Sequence, residues 1–205
     1  WKKDQLDYKN TPANAPAAIL AFRLYQRFRK EEDLEWGKKI FEWNKEHLMD
    51  PETCFIWDGM NREGDGQIDK DWKFTYCQGV MLGAALEYYR ICGKQEYLEL
   101  AEKIARRAVT ELAGEDQIFN IEGKDDCGLF RGIYFRFLCE LIRETPDRER
   151  DLAEVAVLNA EAVKNAFNKE GLIGNEWRMP SEGEIDLAQH LSGVMVLEME
   201  RRIRQ

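Results

Sequence analysis

The chain has 205 residues, 44% hydrophobic and 34% charged, which is long enough to bury the core of one globular domain. Its 39 acidic and 30 basic residues give a formal net charge of −9, which disfavours nucleic acid and anionic lipid surfaces as partners. No stretch approaches the roughly 20 apolar residues that a membrane span requires, so neither nucleic acid nor a membrane is an expected partner.

The first predicted element is a pair of helices joined by a short acidic turn. Apolar residues from Ala17 to Phe28 mark the first helix of the pair. A second helix follows, because apolar side chains recur at helical spacing at Leu34, Trp36, Ile40, Phe41 and Trp43.

A second pair shows most clearly that its two helices have different surroundings. The helix that begins near Gly79 is apolar nearly all round, which is typical of an inner helix packed on both sides. Gly93 suits the left-handed residue that ends it. The partner helix has one apolar face and is predicted to be an outer helix; that face comprises Leu98, Ala101, Ile104, Ala105, Ala108 and Leu112.

The same pattern recurs to the end of the chain. A third pair spans 132–142 and 152–167, and 187–202 begins a fourth. The first helices start near Ala15, Gly79, Gly132 and His190, in steps of 64, 53 and 58 residues. Hairpins of this kind bury their apolar faces only against neighbouring hairpins. The prediction is an all-α chain that supplies about seven of the twelve helices of an (α/α)6 toroid.

Aromatic, acidic and amide residues concentrate in the loops that lead into inner helices. Examples are Trp57-Asp58-Gly59, Tyr76-Cys77-Gln78 and Asp125-Asp126. Aromatic rings stack on the apolar faces of sugars, and carboxylates and amides bind sugar hydroxyls. These loops therefore indicate a site for a neutral polysaccharide or oligosaccharide, although Asp and Gly are also ordinary turn residues.

Cysteine and histidine usage limits the other chemistries. Five cysteines without Cys-x-x-Cys spacing disfavour a disulfide framework and a zinc site, and two histidines exclude a histidine-rich metal centre. Neither a metal nor a cofactor is expected. Free cysteines favour the cytosol, but the location of the protein stays open.

Four segments together resemble glycoside hydrolase family 76, the endo-α-1,6-mannanases, which fold as (α/α)6 barrels. The run from Phe74 to Gly83 is similar to the family's Thr-Tyr-Asn-Gln-Gly-Val-x-x-Gly signature. The other three segments are Asp7 to Asn14, Trp57-Asp58-Gly59, and Asp126 to Ile133. The resemblance implies a retaining glycosidase that acts on α-1,6-mannan or a related α-mannoside polymer, and members of the family are often secreted.

The chain also departs from the family pattern. Cys77 replaces a usual Asn, and Gly128-Leu129 replaces Pro-Gln. The family's adjacent Asp-Asp pair belongs before Trp1, so residues 1–205 are interpreted as a partial catalytic domain that lacks its N-terminal helices and is inactive alone. The catalytic pair lies upstream, or Asp125 and Asp126 replace it, and the missing N-terminal part becomes a partner of this chain.

The resemblance and the loops select the candidate substrate-binding residues, which are Trp57, Asp58, Tyr76, Gln78, Asp126, Phe130 and Arg131. The catalytic residues, the exact linkage, endo or exo action and the oligomeric state stay unassigned. Two alternatives remain open: a helical-repeat module that binds a protein, and a different (α/α)6 sugar enzyme such as an epimerase.

Overall fold

The computed structural model describes residues 7–205, and within that range it contains seven α-helices. The all-α prediction and the number of helices are confirmed. The helices are α1 (Thr11–Phe28), α2 (Glu31–Leu48), α3 (Thr75–Cys92), α4 (Gln95–Leu112), α5 (Phe130–Glu144), α6 (Arg150–Asn165) and α7 (Leu187–Ile203).

The helices α1, α3, α5 and α7 begin two to four residues before their predicted starts. Their first turns carry polar and aromatic residues that hydrophobic periodicity does not mark. At α1, for example, the side chain of Asn10 accepts a hydrogen bond from the Ala13 amide at 3.2 Å and caps the helix.

Burial separates the two kinds of helix as the sequence predicted. In α3, twelve consecutive residues from Cys77 to Tyr88 are buried. In α4 the predicted apolar face is buried, whereas charged residues such as Glu99 and Lys103 are exposed.

The chain forms two compact units, one ending at Arg107 and one beginning at Ala108. The core of the first unit is a cluster of aromatic rings. Phe22 of α1 stacks on Tyr88 of α3 with ring centroids 5.0 Å apart, and Phe41 of α2 meets Tyr88 edge-on. Gly37 lies directly on the Phe22 ring, so α1 and α2 approach closely.

In the second unit, α5 and α7 approach each other closely at Gly132 and Ser192. A Cβ added at Gly132 would lie 2.8 Å from the Cα of Ser192, and the Gly132 amide donates to the Ser192 hydroxyl at 2.9 Å. Nearby, Phe119, Tyr134 and Phe135 form an aromatic cluster with centroids 5.0–5.5 Å apart.

Each outer helix ends in the same small hairpin, which the sequence did not predict. A single antiparallel bridge closes it, and we call these three structures the bridge hairpins: Met49–Ile56, Ala113–Phe119 and Phe167–Ile173. In each, the residue two positions before the second bridge partner has a left-handed backbone: Cys54 (φ 60), Gln117 (φ 59) and Gly171 (φ 75). The hairpins turn the chain back after the helix and start the following loop.

A two-residue antiparallel ladder is a further extended structure, and Met60 also forms a single antiparallel bridge with Ile68. The ladder pairs β1 (Lys9–Asn10) with β2 (Gly59–Met60). The amide of Thr11 also donates to the carbonyl of Asp58 at 2.8 Å. The start of α1 is thereby fixed against the loop that carries Asp58.

Candidate functional site

The first unit builds its candidate site on the bridge hairpin Met49–Ile56. The side chain of Gln78, in the first turn of α3, accepts from the Ile56 amide at 2.9 Å and donates to the Ile56 carbonyl at 2.7 Å. Gln78 is completely buried. We expected its amide to bind a sugar hydroxyl, but both ends of that amide hold the backbone two residues before Asp58.

Asp58 is the centre of a polar cluster, although it is only 3% exposed. One carboxylate oxygen accepts from the Tyr8 hydroxyl at 3.0 Å, and the other accepts from the Tyr76 hydroxyl. The Cys77 thiol lies 3.7 Å from that second oxygen. The buried carboxylate is therefore satisfied by hydrogen-bond donors, as a buried charge must be.

The two phenols stay protonated over the ordinary pH range. Burial, then the charges of Cys77 and Asp58, raises the pKa of Tyr76 far above its usual value near 10. Burial and the neighbouring Asp58 raise the pKa of Tyr8 in the same way. Both hydroxyls consequently remain donors to Asp58.

Aromatic rings lie beside this cluster. Trp57 is half-buried and packs on Phe55 with centroids 4.9 Å apart. Trp72 is 44% exposed and meets Phe74 at 6.0 Å, and Phe74 meets Tyr76 at 5.7 Å. The first unit thus combines exposed aromatic faces with hydroxyl and carboxylate groups, which is the chemistry that binds a neutral sugar.

In the second unit Arg131 is the second residue of α5, and its side chain is buried at 2% exposure. Its guanidinium donates to the Phe119 carbonyl at 3.2 Å and to the backbone and side-chain oxygens of Asn175, and it stacks 3.7 Å over the Trp177 ring. Burial lowers its pKa to about 10. We expected Arg131 to face a sugar, but its described hydrogen bonds hold the chain around it.

Asp126 and Phe130 are the accessible members of the second group. Asp125 and Asp126 form the first turn of a short 3-10 helix, Asp125–Leu129, and both are exposed. Neither carboxylate makes a hydrogen bond or an ion pair within residues 7–205. Phe130 begins α5 and is half-buried. These two side chains remain able to contact a ligand.

Comparison with known proteins agrees with these features. The profile of Glycosyl hydrolase family 76 matches residues 1–201. The chain belongs to this family. Its helices accordingly match part of the (α/α)6 toroid of family-76 enzymes, as the sequence predicted.

Two solved structures of this family cover almost the whole chain. The Lin0763 protein of Listeria innocua is 39% identical, with a TM-score of 0.94, over 100% of this chain and 58% of that protein. The GH76A α-1,6-mannanase of Salegentibacter sp. HEL1_6 is 39% identical, with a TM-score of 0.93, over 99% of this chain and 62% of that enzyme. Inactive variants of the Salegentibacter enzyme, with two aspartates replaced, were solved with α-1,6-mannotetraose and α-1,6-mannotriose.

Curated relatives are more distant. The mannan endo-1,6-alpha-mannosidase DCW1 of Saccharomyces cerevisiae is 21% identical over 178 residues, which is 80% of this chain and 38% of that protein. The Candida glabrata protein of the same name is 26% identical over 45% of this chain and 21% of its own length. The family-76 chain thus spans well under half of these relatives and about three fifths of the solved structures.

The described part of the family-76 chain also shows the state of the cysteines and histidines and the character of the helices. All five cysteines are free. Residues 7–205 contain no helix long and apolar enough to cross a membrane. Over the same range, no group of three His, Cys, Asp or Glu side chains is placed to hold a metal ion. His190 accepts from the Ile173 amide at 3.1 Å through Nδ1, so this histidine anchors the third bridge hairpin.

A separate groove of about 950 Å3 lies in the second unit. Its lining includes the apolar residues Phe167, Leu172 and Met179 and the acidic residues Glu170, Glu182 and Glu184. None of the seven predicted site residues lines it.

Tyr8, Arg62 and Asp69 are the site residues of this family-76 chain that sequence reasoning missed. Arg62 donates to the Tyr8 hydroxyl at 3.0 Å and forms a two-point ion pair with Asp69 at 2.8 and 3.2 Å. Tyr8 lies inside a segment that carried the family resemblance, which is the signal that would have found it. Asp69 lies in a glycine- and aspartate-rich loop outside the four segments that carried the family resemblance.

Proposed function

We propose that residues 1–205 are part of an (α/α)6 catalytic domain that hydrolyses α-1,6-linked mannan. The observation that carries the proposal is 39% identity to the Salegentibacter α-1,6-mannanase along 99% of this chain. The complexes of that enzyme with α-1,6-manno-oligosaccharides support a neutral mannose polymer as the ligand.

The accessible site residues have chemistry that fits such a polymer. In the first unit, Trp57 offers a ring for sugar stacking, and Tyr76 offers a phenol held by Asp58. In the second unit, Asp126 and Phe130 offer an exposed carboxylate and a half-buried ring. Groups that match particular hydroxyls supply discrimination between sugars.

Gln78 and Arg131 support the site in this proposal rather than contact the sugar. Gln78 fixes the loop that leads to Asp58, and Arg131 fixes the backbone at Phe119 and Asn175. Because both are buried and their hydrogen bonds end on the chain itself, they set the positions of their neighbours.

The reaction we propose is a retaining hydrolysis. One carboxylate attacks the anomeric carbon and displaces the leaving oxygen, which a second carboxyl group protonates; water then cleaves the glycosyl-enzyme. Retention requires the two carboxyl groups about 5 Å apart. We assign neither role to a residue of this chain, and the exposed neighbours Asp125 and Asp126 stay a candidate pair.

The test is hydrolysis by the complete protein. Reducing-sugar release is measured on α-1,6-mannan and on a panel of other glycans, and NMR identifies the first anomer formed. We expect release from α-1,6-mannan alone, with the α-anomer first. Activity confined to another glycan, or a first product with inverted configuration, contradicts the proposal.

A second measurement decides the role of the aspartate pair. Asp125→Asn and Asp126→Asn, made separately in the complete protein, are compared by kcat on α-1,6-mannan. If the pair is not catalytic, each variant keeps kcat within about threefold of the parent, whereas loss of a catalytic carboxylate costs orders of magnitude.

A further inference from the structure

We propose that Arg62 is a positioning residue for the sugar site: through Tyr8 and Asp58 it fixes the Tyr76 phenol as the acceptor of a hydrogen bond from a mannose hydroxyl. The inference deepens the proposed function and rests on it. All four residues belong to the first unit.

Arg62 lies outside any helix, but several contacts hold its side chain in place. Its Nε and Nη2 bind the two carboxylate oxygens of Asp69 at 3.2 and 2.8 Å. The guanidinium carbon lies 3.5 Å from the centre of the Trp72 ring and 5.0 Å from that of Tyr8. A two-point ion pair and ring stacking are the geometry that arginine provides and lysine does not.

From this position Arg62 acts on Tyr8 and Asp58 together. Its Nη2 donates to the Tyr8 hydroxyl oxygen at 3.0 Å and lies 3.5 Å from one oxygen of Asp58. Because the Tyr8 oxygen accepts from Arg62, its own hydrogen points to Asp58, where the distance is 3.0 Å. The contact fixes the direction of the first hydrogen bond to the carboxylate.

The second hydrogen bond has one possible direction, because a carboxylate accepts and does not donate. Arg62 and Tyr8 hold one oxygen of Asp58, and they thereby set the position at which the other oxygen accepts the hydrogen of Tyr76. A phenol has one hydrogen and two acceptor lone pairs. With its hydrogen directed at Asp58, Tyr76 meets a ligand as an acceptor, so it selects a sugar position that carries a hydroxyl donor.

The cation also persists across the pH range. Burial lowers the pKa of Arg62, but the hydrogen bond and charge of Asp69 together with Tyr8 and Asp58 outweigh burial and raise it. Arg62 therefore keeps its charge wherever the protein is folded.

The experiment is a cycle of substitutions in the complete protein, with kinetics on α-1,6-mannan oligosaccharides. Arg62→Ala and Tyr76→Phe are each expected to raise KM about tenfold, the worth of one hydrogen bond to a polarised group, with kcat within about twofold. Because Arg62 acts through Tyr76, the double variant is expected to match Tyr76→Phe within about twofold. Arg62→Lys, which keeps the charge but cannot form the two-point ion pair with Asp69, should give an intermediate KM.

Arg90→Ala is the matched control. The Arg90 side chain is 28% exposed, as that of Arg62 is, and it pairs with the buried carboxylate of Glu87 at 3.2 Å near the C-terminal end of α3. We expect this variant to lower Tm as Arg62→Ala does and to leave KM unchanged.

Three results overturn the assignment of Arg62. The first is an unchanged KM in Arg62→Ala. The second is a KM in the double variant that reflects the sum of the two single effects. The third is a KM increase in Arg90→Ala as large as that in Arg62→Ala. If Arg62→Ala does not fold, Arg62→Lys and Arg62→Gln complete the same cycle with Tyr76→Phe. If the parent protein has no activity on α-1,6-mannan, the proposed function is contradicted. That result differs from the three that contradict the assignment of Arg62.

Discussion

Each of the two units buries a charged side chain beside its loops, and the two charges are opposite. In the first unit a buried anion, Asp58, receives hydrogen bonds from two phenols. In the second unit a buried cation, Arg131, donates to two backbone carbonyls and to the Asn175 side chain. Asp58 and Asn175 each lie two residues after the second partner of a bridge hairpin, Ile56 or Ile173.

The two residues differ in the kind of group that their hydrogen bonds reach. Asp58 accepts from two hydroxyl groups, one of which belongs to the half-buried Tyr76. Arg131 donates hydrogen bonds to backbone oxygens, so these bonds stabilise the chain itself. One buried charged residue therefore orients hydroxyl groups, whereas the other holds the backbone around it.

The largest expected effect is on stability, at Arg131. Arg131→Met keeps the bulk but leaves buried carbonyls without donors, so we expect a loss of about 3–5 kcal/mol in the free energy of unfolding. Urea denaturation followed by circular dichroism measures it. A loss below about 1 kcal/mol would show that the guanidinium is not a scaffold element.

Asp58 is the opposite case, with a larger effect on binding than on stability. Asp58→Asn keeps the shape and removes one acceptor oxygen, so one phenol loses its orientation. We expect KM on α-1,6-mannan oligosaccharides to rise about tenfold or more, while Tm falls less than in Arg131→Met. If Asp58→Asn lowered Tm as much as Arg131→Met does, the two units would not differ in the way described.

Two glycines provide a matched pair of smaller effects. A Cβ at Gly132 meets the backbone of Ser192 at 2.8 Å, and a Cβ at Gly59 meets the Tyr8 hydroxyl at 2.6 Å. Each alanine variant should cost about 1–3 kcal/mol of stability through overpacking. Only Gly59→Ala should also raise KM, because it displaces Tyr8; a KM increase in Gly132→Ala would count against the comparison.

The smallest effect appears at alkaline pH. The pKa of Tyr8 and that of Tyr76 are raised in the folded state, chiefly by burial. The unfolded chain therefore loses these protons first, and stability present below pH 10 is expected to fall as the pH rises above about 10. Tyr76→Phe should flatten this fall in urea titrations between pH 9 and 11; an unchanged slope contradicts the raised pKa of Tyr76.

Sequence reasoning found the helices because their apolar faces recur at regular spacing, as the buried face of α4 shows. It missed the bridge hairpins, since a single bridge such as Met49–Ile56 is too short to produce a pattern. The predicted starts of the inner helices lie after the observed ones, because first turns such as Thr75-Tyr76-Cys77 are not uniformly apolar.

The candidate site was predictable only in part. Asp58 and Tyr76 stand in recognisable motifs, but the orientation of Gln78 towards Ile56 depends on the fold. The contacts of Tyr8 with Asp58 and Arg62 join residues 50 and 54 positions apart, and no local pattern encodes such pairs. Which polar atoms remain accessible is a three-dimensional property, and a motif does not report it.

The bridge hairpins separate each outer helix from the loop that follows it. A side chain fixes the amide of the second bridge partner each time, from Gln78, Asn159 or His190. The segment after each bridge can then lengthen, shorten or change composition while the helix before it keeps its anchor. Changes in the loops at these three points are therefore expected to leave the helical framework intact.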